Sequence, residues 1–237
     1  MKTVQNRILS QRELGVLKLT SLYGLIVPEV VARLPGFQDV SANAQHRMMQ
    51  RLIRWQFIMA AWLYAGRRCY LLTTAGQNAI SKVHPQRLID DRPLSIETKL
   101  RRFAMLSFCC LGRTLRTRIK LSLDDNASPE PDEGPQSGNY YVQNGEHNIY
   151  GFLRVDMGGA GRWDRVVAKC ANDARRLKTI PALNKYMAAG AVEITLATAL
   201  PEKAERLNRA ISESPTELPI RIAIIPDMFH ILVSQPT

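Results

Sequence analysis

The stretch that decides the predicted amino-terminal fold is SANAQHRMMQRLIRWQFIMAAWLYAGRRCYLL, residues 41–72. Ser41 can cap a helix. In the residues that follow, Met48, Leu52 and Trp55 recur at helical spacing, so we expect them to face inward. Two apolar and aromatic runs joined by a glycine-containing turn come next, a pattern that is typical of a β-hairpin. The stretch therefore predicts a helix followed directly by a hairpin.

The polar side chains of this helix would form its outer face. They are of the types that bond base edges and phosphates, and they are Asn43, Gln45, His46, Arg47, Gln50, Arg51 and Arg54. The predicted hairpin tip adds Arg67 and Arg68. An arginine-rich helix face is usually only a solvated surface. The prediction of DNA binding therefore depends on its coincidence with a short preceding helix and an arginine-bearing tip.

The flanking residues complete a predicted winged helix-turn-helix domain over residues 1–84. Ser10 and Glu13 have the spacing of a capping box at the start of an apolar helix. Pro28 suits the first turn of a short second helix, and a last helix is predicted over residues 73–83. In this element order the third helix enters the major groove, and the hairpin tip contacts the flanking backbone.

The charge distribution favours a polyanionic partner. The chain has 237 residues and a formal net charge of +11, of which residues 1–123 carry +14 and the remainder −3. Nucleic acid is the commonest partner of such a basic half. An anionic membrane surface is the alternative, but the basic half has neither a continuous Lys/Arg block nor an obvious basic amphipathic anchor. We therefore expect double-stranded DNA as the partner and no membrane.

The remaining composition predicts a cytoplasmic bacterial protein. The sequence has no run of about 18 apolar residues, and its first residues turn polar before a signal-peptide core develops. None of the four cysteines forms a CxxC pair, so we expect reduced core residues at Cys69, Cys109, Cys110 and Cys170.

Three further segments follow the predicted winged helix. Residues 85–122 contain a largely apolar helix, expected to be buried between domains or against a sheet. It is followed by a basic strip: Arg113, Arg116, Arg118 and Lys120. That strip is either a second phosphate contact or an ordinary exposed strand or loop. Residues 123–138 are acidic and rich in Pro, Gly and Ser, and they predict a linker or long loop.

Residues 139–237 predict an α/β domain with the order β-β-α-β-α-β-β, in which IRIAIIP (220–226) and FHILVSQ (229–235) are the last two strands. A mixed sheet with helices on its faces is expected. The order also suits the restriction-endonuclease-like fold, giving an α+β protein overall. Such nucleases hold Mg²⁺ with clustered carboxylates beside a lysine.

Little of that nuclease chemistry is present. Asp156 ends the central strand, but Arg154 stands two residues before it where an acid is needed, and Lys169 is the nearest candidate lysine. Asp156 is therefore either one ligand of a weak Mg²⁺ site or a structural cap. The sequence has no P-loop, G-x-G-x-x-G or G-x-S-x-G motif, and its scattered histidines suit neither a zinc site nor tyrosine-dependent nicking at Tyr140 and Tyr141.

The chain resembles the plasmid replication-relaxation family, which is similar to the C-type mobilisation relaxases. The resemblance rests on TSLYGLIVPEVVARL, AQHRMMQRLIRWQFI, YLLTTAG, Tyr140-Tyr141, FLRVD at 152–156 and the helix bearing Lys169. It implies a winged helix joined to a nuclease-like domain that acts in transfer, replication or regulation of mobile DNA. The sequence departs from the family where Arg154 replaces an acid and where the preceding strand lacks an Asp.

Four functions follow from these observations. The leading hypothesis is a sequence-specific DNA-binding regulator or accessory factor of a plasmid or integrative element. In it there is no cofactor and no catalysis, and the carboxy-terminal domain is a dimerisation or partner-docking platform. The alternatives are a Mg²⁺-dependent relaxase-like endonuclease using Asp156 and Lys169, a plasmid replication initiator, and a purely structural interaction protein. The last of these leaves the basic half without a partner.

Overall fold

The computed structural model describes residues 8–33, 37, 39–81, 94–110, 116–118, 139–144, 147–157, 163–214 and 216–233. The chain is a mixed α+β protein with a two-stranded and a five-stranded sheet in these residues. None of the helices in the described ranges is both long and apolar enough to cross a membrane. The predicted linker, residues 123–138, lies outside the described residues.

The amino-terminal elements follow the predicted order of three helices, a hairpin and a helix. They are α1 (Gln11–Tyr23), α2 (Pro28–Val31), α3 (Ala42–Arg54), β1 (Ile58–Tyr64), β2 (Arg67–Leu72) and α4 (Thr74–Ile80). The capping box is confirmed, since the Glu13 amide donates to Ser10 Oγ at 3.3 Å and the Ser10 amide donates to Glu13 Oε2 at 2.8 Å.

Backbone contacts attach the hairpin to the chain between α1 and α2. Gly24 ends α1 in the left-handed conformation, with a φ of 73°. Ile26 then exchanges two backbone hydrogen bonds with Tyr70 on β2, at 3.0 and 2.9 Å. The turn between β1 and β2 contains Gly66 at a φ of 81°, which a glycine adopts without steric cost. The hairpin is therefore held to the connection between α1 and α2 through the middle of β2.

The remaining elements surround one five-stranded sheet. They are α5 (Ile96–Cys110), β3 (Thr117–Arg118), β4 (Asn139–Asn144), β5 (His147–Val155), α6 (Trp163–Lys178), a 3₁₀ helix (Pro181–Leu183), α7 (Asn184–Ala188), β6 (Val192–Thr198), α8 (Pro201–Glu213), β7 (Ile220–Ile224) and α9 (Met228–Val233). The strand order is β3-β4-β5-β6-β7, with antiparallel pairs up to β5 and parallel pairs beyond it. The parallel strands thus end together at one edge.

The last predicted strand is wrong, because residues 228–233 form helix α9. The apolar run FHILV fits a strand or a helix by length alone. Helical spacing turns Met228 and Ile231 inward, where both are buried and α9 packs on α5. Phe229 and Val233 are left exposed. Tertiary contact with α5 therefore selects the helix.

Helix α5 joins the amino-terminal elements to the sheet. Every residue from Phe103 to Cys109 is buried, and the helix packs on α1, α2, α9 and β5. This confirms the prediction that the apolar helix is buried against the sheet. The same hydrophobic core includes Leu17 of α1, Leu52 of α3 and Leu153 of β5. The opposite sheet face is covered by α6 and α8, which form a second core.

Tyr140 is the largest side chain between α5 and the sheet. It is fully buried, and its ring lies 4.9 Å from that of Phe108. Its hydroxyl donates to Glu193 at 2.7 Å and lies 2.8 Å from the Thr195 hydroxyl. Burial in this apolar setting raises the pKa of Tyr140 well above its ordinary value. The Tyr140 ring lies against β5 at Gly151, which leaves room for it because it has no side chain.

We expect Gly151→Ala to destabilise the protein by about 1–3 kcal/mol or more, because overpacking forces buried groups to shift. An added Cβ would lie 1.9 Å from the Tyr140 ring. Urea denaturation followed by circular dichroism measures the change. Gly15→Ala is the control, since nothing lies within 4 Å of its added Cβ. Because Gly15 lies within helix α1, Gly15→Ala should stabilise the protein by about 0.5–1 kcal/mol. Equal effects from both changes would contradict the packing described for Tyr140.

Candidate nucleic-acid interface

Helix α3 has one buried and one exposed face. Met48, Met49 and Leu52 are buried in the core. Six of the seven predicted helix residues are exposed. Arg51 lies at the margin of this face, and the other five recur at intervals of three or four and so share it: Asn43, His46, Arg47, Gln50 and Arg54. We call these five residues the α3 stripe. The structure thus brings five of the seven predicted helix residues together on the solvent side.

The segment that forms α3, the hairpin and α4 has no acidic residue of its own. Residues 40–81 contain no Asp or Glu, although they carry five arginines. Three acids from elsewhere in the chain reach those arginines: Glu13 pairs with Arg51, and both Glu29 and Asp227 pair with Arg67. Within the described residues, Arg47, Arg54 and Arg68 form no ion pair. Three positive charges therefore remain uncompensated.

Two predicted residues at the margin of the stripe have internal partners. Arg51 Nε donates to Glu13 Oε1 at 2.7 Å, and its guanidinium lies 5.4 Å from the Trp55 ring centroid. Glu13 is almost fully buried, whereas the Arg51 side chain is 49% exposed. The Gln45 amide donates to the Val40 carbonyl at 3.0 Å. The Arg51 side chain is thus held toward Glu13, and Gln45 stabilises the start of α3.

The two tip arginines point in different directions. Arg68 is exposed, and its guanidinium lies 5.0 Å from the ring of Trp62, its cross-strand neighbour. Trp62 is itself 56% exposed. A two-residue turn by itself would place Leu63 opposite Arg68, and the register shift between Trp62 and Tyr64 brings Trp62 there instead. The sequence alone therefore did not point to this tryptophan. Together they form a cationic aromatic pair on the hairpin surface.

The expectation that Arg67 faces outward is wrong. Its side chain is only 17% exposed, and its Nη1 lies 2.6 Å from Asp227 and 3.1 Å from the Tyr64 hydroxyl. Its Nη2 lies 3.3 Å from Glu29. Adjacent strand residues point to opposite faces, so only one of two neighbouring arginines can face solvent. Arg67 therefore joins the hairpin to the start of α9.

The predicted basic strip is described only in part. Arg116 turns toward the core, where its guanidinium lies 4.1 Å from the Phe108 ring and Nη1 donates to the Phe108 carbonyl at 3.3 Å. Arg113 and Lys120 lie outside the described residues, as does the side chain of Arg118. The described part of the strip, Arg116, therefore makes a packing contact with α5.

The candidate nuclease residues do not come together as predicted. Asp156 is buried at the end of β5, and its carboxylate accepts a hydrogen bond from Thr198 and lies 2.6 Å from Lys203 Nζ. Lys169 is exposed on α6, so the lysine that contacts Asp156 is Lys203 on α8. The helix that follows a neighbouring parallel strand begins at the edge where both strands end. This position was the only signal in the sequence for Lys203.

Arg154, which stands where the family resemblance implies an acid, forms an ion pair with another acid. Arg154 lies 2.5 Å from Asp173 on α6, and Arg176 is 3.9 Å from the same carboxylate. The described residues contain no group of three or more His, Cys, Asp or Glu side chains placed to hold a metal ion. Asp156 and Arg154 are thus each held in an ion pair.

The four cysteines are free thiols. Cys69, Cys109 and Cys170 are buried and Cys110 is half-buried, in line with the predicted core positions. Burial raises the pKa of Cys69 and of Cys170 to about 11. Because the thiolate is the reactive form, neither of these two thiols is activated at neutral pH.

Comparison with known proteins gave no match among models of protein families, curated proteins or solved structures. The resemblance to the plasmid replication-relaxation family therefore stays a prediction.

We expect Asp156→Ala to destabilise the protein by about 3–5 kcal/mol, because it removes the carboxylate that faces the buried Lys203 ammonium. Both side chains are about nine-tenths buried. Chemical denaturation of Asp156→Ala, Lys203→Met and the double variant measures the coupling. The double variant should recover much of the loss. A stability in Asp156→Ala equal to or above that of the wild type would contradict a structural ion pair.

Proposed function

We propose that the chain binds double-stranded DNA through an amino-terminal winged helix-turn-helix, with α3 as its recognition helix. The observation that carries the proposal is the α3 stripe, in which polar and cationic side chains share one exposed face. The absence of any Asp or Glu between residues 40 and 81 supports it. Such a helix fits a DNA duplex, which is a polyanion.

The dimensions of α3 suit a groove. The α3 stripe runs from Asn43 to Arg54, or about 16 Å along the axis at about 1.5 Å per residue. A major groove about 12 Å wide admits one helix. Asn43, Arg47 and Gln50 are of the types that pair with adenine or guanine edges. Arg54, near the end of the helix, is placed for a phosphate.

The hairpin supplies a second contact in this proposal. Arg68 and Trp62 project from its strands with their charge and ring exposed. An arginine held against an indole has little freedom left to lose when it meets a phosphate. Arg67 has a different role, because its pairs with Asp227 and Glu29 orient the hairpin.

The biological role we propose is that of a regulator or accessory factor of a plasmid or integrative element. It rests on the family resemblance seen in the sequence. In this role the sheet and its helices form a platform for a second copy or another protein. The ion pairs at Asp156 and Arg154 favour such a platform over Mg²⁺-dependent cleavage.

Removing a stripe arginine should weaken specific binding by about 1–3 kcal/mol if the residue reads a guanine. Arg47→Ala is the test, and Arg165→Ala is the matched control, since it also removes an exposed arginine, but from α6. The probe is the duplex flanking the protein's own gene, with footprinting to locate the site. Unchanged binding in an Arg47/Arg51/Arg54 triple alanine variant would reject α3 as the recognition helix.

A phosphate contact behaves differently. Arg68→Ala should lower affinity for every duplex sequence and reduce the slope of log K against log salt by about one. Electrophoretic mobility shifts with a mixed-sequence duplex at several salt concentrations measure that slope. A loss confined to one sequence would show that Arg68 reads bases. An unchanged slope would exclude it from the interface.

A further inference from the structure

A cavity of about 440 Å³ opens at the carboxyl edge of the parallel strands. Asp156 follows β5 and Thr198 ends β6, and both line it. Its volume lies in the range of about 300–1,000 Å³ that is usual for small-molecule sites. Sheets with parallel strands commonly bind ligands outside these strand ends. The cavity lies in the sheet half of the molecule and includes no residue of α3 or the hairpin.

The floor of the cavity is polar and its rim apolar. Asp156 and Lys203 form the floor as a closed ion pair at 2.6 Å. The rim includes Leu200, Phe229 and Val233, which are 39%, 41% and 58% exposed. These are three of the seven large apolar side chains exposed in the described residues. A few fixed polar groups within apolar walls are what a site for an organic ligand offers.

One cationic side chain in the cavity lining forms no ion pair with a described acid. Lys203 is paired with Asp156, but Arg206 is exposed and forms no ion pair with any described residue. Its guanidinium lies 5.7 Å from the Trp163 ring centroid, and the Lys203 ammonium lies 5.6 Å from the same ring. A flat aromatic surface and an available positive charge therefore meet in one wall.

We propose that this cavity binds an organic anion that carries a flat ring, the chemistry of a nucleoside monophosphate. Arg206 binds the anionic group, and Trp163 stacks with the ring. The Asp156–Lys203 pair offers an acceptor and a donor to the ring edge. Glu202 also lines the cavity. Its carboxylate disfavours a ligand with several negative charges, so a monophosphate binds better than a triphosphate.

Isothermal titration with adenosine monophosphate tests this site. Adenosine, ribose 5-phosphate, adenosine triphosphate and inorganic phosphate are the matched ligands. Adenosine monophosphate should bind more tightly than any of them, since only it supplies both the ring and a single phosphate. Arg206→Gln should weaken its binding at least about tenfold, the value of one charge-assisted hydrogen bond. Arg209→Gln, one turn further along α8, should leave it unchanged.

Three outcomes would overturn the proposal: no heat of binding up to about 5 mM ligand, equal affinity for inorganic phosphate, or equal weakening by Arg206→Gln and Arg209→Gln. Thermal melting confirms that each variant is folded. Trp163→Leu is a second variant that must also weaken binding if the ring stacks there. The titrations contain no DNA, so their outcome is independent of the proposed DNA binding.

Discussion

The structure depends on the burial of the carboxy-terminal half of α5 on all its sides. A helix whose residues are apolar all round must be covered all round, and Phe103–Cys109 meet this requirement by packing on the amino-terminal helices, on α9 and on the sheet. One hydrophobic core therefore runs from α1 to β5. Each fully buried leucine or phenylalanine contributes about 1.5–3 kcal/mol, so the two halves of the chain stabilise each other.

The arginines of α3, the hairpin and β5 divide into a group that has carboxylate partners and a group that faces solvent. Arg51, Arg67 and Arg154 each have a carboxylate within 2.7 Å, and they hold α3, the hairpin and β5 against their neighbours. Those of the α3 stripe and Arg68 face solvent without such partners in the described residues. Burying a charge costs far more than leaving it in water unless it is paired. Arg47, Arg54 and Arg68 therefore stay in solvent on α3 and the hairpin.

Helix α9 contacts both the hairpin and the cavity at the sheet edge. Asp227, just before it, pairs with Arg67, and the ring of His230 stacks 5.2 Å from Tyr64 on the hairpin. Phe229 and Val233 line the cavity at the sheet edge. This short helix was predicted as a strand, and its contacts with both could not be seen before its conformation was known. Fold prediction therefore failed at an element that packs on both the hairpin and α5.

The sequence by itself determined the capping box, the order of the amino-terminal helices and hairpin, the polar face of α3 and the buried character of α5. These features follow from local periodicity and capping, which act over a few residues. Only the tertiary structure decided that Arg67 turns inward, that Asp156 pairs with Lys203 rather than Lys169, and that residues 228–233 are helical. Each of these depends on a partner far away along the chain, and spacing in the sequence carries no information about which distant charge or core surface a side chain will meet.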